Sequence, residues 1–421
     1  MPPLVRSDVN IVNKLILKDG RVVNVGIYSR DVSRVREFEK RLQGHEIPHL
    51  QRTSPDGTWL GSLDAERKIL WLHTPGAPNE FKVLRIRLKG ISGPVKTFRW
   101  KVDGQGIIVH TDRNLWHVAL PETGLLKDMT KVVAVPLMED SIGPQIQDFR
   151  MLQEGFIVRA NLRLYLGLFK SGVVIKDVTP HKRYVHSAFV GPEERIYITV
   201  AESLWPIDSQ LWILDTAGRD LPSLRSIASK WEQGSAINWA AHKGWFAVAR
   251  SWHPLTLFSV KGIGQAEPIK LEMDPSLPFD NVHTLWSDEK GERLLSATST
   301  TLRVWSPEGK LLWSWPETEE SKIKIYSARF TPDGASVIAS LKDRVVLLKD
   351  GVIAETLVTP EQAAEMGVED KHTFFENAQM LSDGSLAVAI VRAKETVTWR
   401  EEPRRRLRRH RPSAELEKPA I

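Results

Sequence analysis

An apolar strand, a tight turn and a second apolar strand recur eight times along this chain of 421 residues. That repeat limits what the chain can fold into more than any other feature. The turns are Ser54-Pro55-Asp56-Gly57, Asp103-Gly104, Glu154-Gly155, Pro192-Glu193-Glu194, Lys243-Gly244, Lys290-Gly291, Pro332-Asp333-Gly334 and Asp383-Gly384. They follow one another at 47, 51, about 40, 50, 47, 43 and 50 residues; the approximate value reflects the fourth turn, which lacks Gly. Strand-built units of roughly 40–50 residues stack side by side into a β-propeller. The pattern predicts an all-β propeller of four-stranded antiparallel blades. The count of turns gives eight blades, and an irregular fourth repeat would leave seven.

The fullest repeat shows the blade plan. Residues 325–330 form an innermost strand, 336–340 a second and 344–348 a third; Lys349-Asp350-Gly351 then turns the chain into an outer strand at 352–357. Short β-branched runs between Asp/Gly turns are the signature of consecutive hairpins. Two positions recur in the inner strand, six and four residues before the turn Gly: Phe98 and Trp100, Phe149 and Met151, Ala328 and Phe330, Ala378 and Met380. A spacing of two places each pair on one face. The third strand carries an aromatic at Trp71, Trp116, Tyr165, Trp212, Phe258, Trp305 and Trp399. These predict packing between blades.

Residues 44–72 resemble a WD repeat. Gly44-His45 matches the dipeptide that opens such a repeat, the Ser-Pro-Asp-Gly turn follows, Asp64 lies near the next turn and Trp71 ends the third strand. Asp112 and Asp343 fall at comparable positions. The chain departs from that family in lacking any Trp-Asp dipeptide, and residues 306–313 look instead like a quinoprotein-type blade. The resemblance spans residues 44–400 and implies a propeller that binds partner proteins through its loops.

The ends read differently. Residues 15–25 have the pattern of a hairpin, and Val32, Val35, Phe38 and Leu42 share one helical face. Residues 374–400 supply three strands and then give way to Arg and Pro. A missing outer strand would leave an open edge, so the N-terminal hairpin is expected to close the ring. The organisation is therefore a closing hairpin and short helix at 1–43, a propeller at 44–400 and a disordered tail at 401–421.

Composition narrows the function. There is no Cys, which excludes disulfides, zinc–thiolate sites and cysteine nucleophiles. Charges interrupt every apolar run, so no membrane span is expected, and the start has no signal-peptide pattern. These point to a cytoplasmic protein, or a nuclear one in a eukaryote. The net charge of +6 equals the six arginines of the tail, Arg404, Arg405, Arg406, Arg408, Arg409 and Arg411. Outside these six arginines, 52 basic residues balance 52 acidic ones, so only this cluster is a candidate contact for nucleic acid or another acidic surface.

His45-Glu46-Ile47-Pro48-His49 matches the H-E-x-x-H zinc pattern, but that chemistry needs a helix, and Pro48 biases Ile47 away from one. No metal and no cofactor are expected, and no catalytic residue is assigned. The best binding signal is a pair of loops between the second and third strands of neighbouring repeats. One holds Trp205 and Pro206, the other Trp252 and His253. Trp braced by Pro makes a rigid anchor for a partner protein. The sequence thus favours a non-enzymatic interaction scaffold. A nucleic-acid adaptor acting through the tail and a propeller hydrolase or lactonase with a central-channel site are the alternatives.

Overall fold

In the computed structural model, the described strands form eight sheets, one for each predicted turn. The structure describes residues 12–16, 20–31, 51–64, 68–74, 83–93, 95–111, 114–121, 130–138, 146–169, 174–191, 194–202, 204, 210–214, 224–226, 236–242, 244–250, 255–262, 265–271, 282–316, 323–366, 368, 373–381 and 383–394. The sheets are numbered here as blades 1 to 8 by the order of their turns. Blades 3 to 7 are simple meanders of four antiparallel strands. Blade 7, for example, runs Ile325–Phe330, Val337–Leu341, Val345–Lys349 and Val352–Val358 from the inside outwards.

Each turn has a physical cause. Thr331 Oγ1 donates to Asp333 Oδ1 at 2.5 Å, the same carboxylate accepts from the Ala335 amide at 3.0 Å, and the Gly334 amide closes onto the Thr331 carbonyl at 2.8 Å. Ser54, Asp56 and Gly57 repeat the arrangement in blade 1. These bonds draw the carboxyls of Asp56 and Asp333 below the ordinary range. Gly334 has φ +69°, where a side chain would be strained. The turn aspartates are thus committed to building the hairpin.

Apolar clusters seal the blades together. Phe98 and Trp100 of blade 2 lie against Gly61 of blade 1, where an added methyl group would meet both rings at 3.2 Å. Phe149 and Phe156 of blade 3 pack with Ile108 and Leu115 of blade 2. Leu152 and Leu164 of blade 3 meet Val185 and Ile198 of blade 4. Tyr197 of blade 4 meets Phe246 of blade 5 at 4.9 Å between ring centres. Ala247 and Leu257 of blade 5 share a cluster with Trp305 of blade 6, and Val304 of blade 6 packs with Ala328 and Val346 of blade 7. Phe375 of blade 8 joins Ile338 of blade 7, and Leu60 of blade 1 joins Leu381 and Ala387 of blade 8. All eight junctions are filled, so the sheets form a closed ring. Of the third-strand aromatics, Trp116, Phe258 and Trp305 are buried; Trp71, Tyr165 and Trp212 are half-buried, and Trp399 lies outside the described residues.

The N-terminal hairpin closes the ring, by a larger exchange than expected. Blade 8 has the order Val12–Ile16, Val22–Asp31, Leu386–Lys394, Thr373–Met380 from outside to inside. Two of its strands come from the N-terminus, not one. Val22–Asp31 occupies the third position, which the sequence assigned to the last repeat. It pairs parallel with Leu386–Lys394 in unbroken register from Val23↔Leu386 to Asp31↔Lys394. Its Val23 and Val25 enter the core between blades 7 and 8.

Three further features were not foreseen. Thr130–Val133 adds a fifth strand to blade 1, parallel to Val83–Lys89. The chain then passes directly into Val135–Pro136, the outer strand of blade 2, so one segment staples two blades. A one-turn helix, α1 (Pro360–Glu365), links blades 7 and 8. Thr359 and Gln362 form a reciprocal capping box at its start, and Ala363 is buried in the seam. The predicted helix at 32–43, the pentad at 45–49 and the tail at 401–421 lie outside the described residues.

Candidate functional site

The inner strands surround the axis of the closed ring, and a recurring bulge shifts their register against the second strands. In six inner strands the register with the second strand slips by one residue, at Lys96, Gln147, His186, Ile237, Tyr326 and Glu376. A bulge re-aims the residues that follow it. The third residue after each bulge is Arg99, Arg150, Phe189, Ala240, Arg329 and Gln379 respectively. Blades 1 and 6 place Arg52 and Trp286 at the same distance from their turn glycines. One level of the inner strands therefore reads Arg52, Arg99, Arg150, Phe189, Ala240, Trp286, Arg329, Gln379 around the ring, with Ala240 buried in the core. Four of the eight are arginines and none is acidic.

Contacts tie this level into a belt. The Arg329 guanidinium lies 4.5 Å from the centre of the Trp286 ring and donates to Gln379 Oε1 at 3.0 Å. Gln379 Nε2 reaches Thr53 Oγ1 of blade 1 at 3.4 Å, and Trp100 Nε1 of blade 2 donates to the Arg52 carbonyl at 3.0 Å. The Arg99 guanidinium stands 5.4 Å from the Phe149 ring of blade 3, and Arg150 pairs with Asp148 at 2.6 Å. The belt is polar and cationic from blade 7 through blades 8, 1, 2 and 3. It is aromatic or small in blades 4, 5 and 6, where Trp286 is 37% exposed.

Beside Arg150 of blade 3 lies a fifth guanidinium. Arg159, on the second strand, is buried; its Nη1 donates to Gln147 Oε1 at 3.0 Å, while its buried Nε–H has no acceptor among the described residues. Burial draws its pKa below the usual value, Asp148 opposes that shift and Arg150 adds to it. The group stays charged, so Asp148 sits between two cations.

Around the belt, inner-strand hydroxyls face second-strand partners, with Ser187 to Thr199 at 2.7 Å and Ser327 to Ser340 at 3.1 Å. Buried His283 meets Thr284 Oγ1 at 2.9 Å; burial is the main cause that pushes its pKa down to about 4. No group of three or more His, Asp or Glu side chains that could hold a metal occurs among the described residues. No described helix is long and apolar enough to cross a membrane.

Trp205, Pro206, Trp252, His253 and the six tail arginines all lie outside the described residues. The base of the blade 4 loop is described: Arg183 holds Glu202 at 2.6 Å, and Leu204 is 62% exposed. That loop opens at the end of the blade opposite to the eight turns. In the sequence the belt is masked by the apolar residues six and four positions before the turn Gly. The signal stood between them: position five is Arg in four repeats.

The fold is similar to the C-terminal WD40 domain of Sif2, with TM-score 0.52 and 12% identity over 82% of this chain and 94% of that one. It is likewise similar to Sqt1 from Chaetomium thermophilum bound to the N-terminus of the ribosomal protein L10, with TM-score 0.55 and 11% identity over 81% and 95%. A third likeness is to the dihydro-heme d1 dehydrogenase NirN in complex with DHE, with TM-score 0.54 and 14% identity over 74% and 66%. Identities this low show a WD40-like propeller fold and nothing finer. No protein-family model and no curated protein matches the chain.

Proposed function

We propose that the protein is a non-enzymatic interaction platform that works inside the cell and binds a partner protein through the second-to-third-strand loops of blades 4 and 5. The observation that carries this reading is Leu204. An exposed leucine beside a base fixed by the Arg183–Glu202 pair is an apolar side chain presented on a held frame, and Trp205 and Pro206 follow it directly in sequence. Propellers use such loops as their variable surface, and Sqt1, a propeller of similar fold, is one that binds a peptide.

The test is affinity capture with the intact protein and with Trp205→Ala/Trp252→Ala, read alongside thermal melting. Hot-spot aromatics cost about 2 kcal/mol or more in affinity when truncated. Partner recovery should therefore collapse while the melting temperature holds. Unchanged recovery would discard the loops as the site, and strong destabilisation would make the two Trp packing residues.

A further inference from the structure

We infer that the arginine belt between blades 7 and 3 is a binding site for a compact polyphosphate, a small molecule carrying several phosphate groups. Arg329, Arg52, Arg99 and Arg150 occupy equivalent positions on adjoining or nearly adjoining inner strands, joined through Gln379. Planar guanidinium forks suit phosphate oxygens two at a time. An arc of four such forks, one of them (Arg150) shared with Asp148, calls for several anionic groups on one ligand, since a single phosphate meets one or two of them. Arg159 adds a buried charge beside Arg150, and its Nε–H has no acceptor among the described residues. Donors fixed by packing on rigid strands lose little freedom on binding.

The surroundings select the size of the ligand. The belt lies near the turn end of the inner strands, and the turns carry Asp56, Asp103, Glu154, Glu289, Asp333 and Asp383. A long polyanion such as nucleic acid would lay further phosphates against that acidic rim, where like charges repel. A compact one touches the wall alone. The site is independent of the loops of blades 4 and 5, which open at the opposite end.

The experiment uses the full chain and inositol hexakisphosphate as probe, followed by titration calorimetry and thermal melting. Citrate and a single-stranded oligonucleotide are the comparison anions. Two variants separate the belt from the tail: Arg99→Gln/Arg150→Gln, and a chain with Arg404, Arg405, Arg406, Arg408, Arg409 and Arg411 all changed to Gln. The wild-type chain should bind the probe one to one, more tightly than citrate, with a raised melting temperature. The belt variant should lose at least about tenfold in affinity, because hydrogen bonds to charged groups are lost. The tail variant should retain the one-to-one event.

If Arg99→Gln/Arg150→Gln misfolds, Arg329→Gln decides instead, at the guanidinium that meets Gln379 and the Trp286 ring. Absence of binding, binding lost with the tail, or binding untouched by the belt variants would each overturn the proposal. Tighter binding of the oligonucleotide through the belt would show that the occupant is a nucleic acid and not a compact anion.

Discussion

Blade 7 and blade 8 have the same four-strand outline and are assembled in opposite ways. Blade 7 is drawn from one stretch, Ile325–Val358, in which every strand pairs with its chain neighbour. Blade 8 joins Val12–Asp31 to Thr373–Lys394, and its central pairing is parallel across more than 350 residues of sequence. The difference teaches that the ring has one seam, and that the seam is built to the standard of the continuous blades. Asn24 is buried there and reaches Ser385 and the Leu386 carbonyl, each at 3.4 Å. Arg21 of the hairpin also pairs with Glu355 on the outer strand of blade 7. The seam matters for the channel too, because Gln379 of blade 8 hands the belt from Arg329 to Thr53.

Removing the hairpin is the strongest way to break this comparison. Deletion of residues 1–31 exposes the whole edge of Leu386–Lys394 and uncovers the core that Val23 and Val25 fill. The shortened chain should aggregate or fail to melt cooperatively in scanning calorimetry. Deletion with an unchanged melting temperature would mean the ring closes without it.

Acid separates the continuous side from the seam. His283 begins blade 6, and its pKa falls from an ordinary 6.5 to about 4 in the folded protein. Above about pH 6.5 the ring is neutral in both states and its contribution is complete. Between 6.5 and 4 the unfolded chain takes up a proton that the folded one declines, so stability falls by about 3 kcal/mol over that window. Urea midpoints for the wild type should drop between pH 7 and 4.5, and His283→Gln should flatten that limb. Hydrogen exchange should show the loosening first in blade 6.

The core offers a matched pair. Val346 of blade 7 and Val25 of the hairpin are both buried, so each change to Ala should cost roughly 2 kcal/mol. A much smaller effect at Val25, measured by chemical denaturation, would show a loosely docked hairpin. The smallest effect compares the turns. Asp333 accepts from Thr331 and Ala335, and Asp383 accepts from the amide and hydroxyl of Ser385, at 2.9 and 2.7 Å. Either Asp→Ala change should cost about 1 kcal/mol, and a marked inequality would mean that the two blades tolerate turn loss differently.

Much of this architecture could be read before the structure was seen. The eight recurring turns fall between the first and second strands of their blades, and Asp56, Asp333 and Asp383 build theirs through local hydrogen bonds. The third-strand aromatics mark the blade junctions because volume is needed there. The hairpin could be named as the closing donor, since an open edge is costly. Its register and parallel direction could not, because they depend on partners more than 350 residues away. The Thr130–Pro136 staple escaped because four residues on one blade and two on the next carry no period. Helix α1 escaped although Thr359-Pro360-Glu361-Gln362 carries a capping-box pattern, because only six residues follow the helical path. The arginine belt was present at a constant offset from the turn, hidden by the apolar residues on either side.

The seam can be tested directly because the chain contains no Cys. Arg21→Cys and Glu355→Cys replace two side chains in contact across 334 residues, at a partly exposed pair whose own loss costs little. A short bifunctional thiol reagent applied to this double variant, resolved by denaturing gel and followed by melting, reads the closure. The closed ring predicts an intramolecular cross-link in the monomer, absent from either single variant, and a raised melting temperature. A cross-link formed only between molecules, or none at all, would contradict closure of the ring by the protein's own N-terminus.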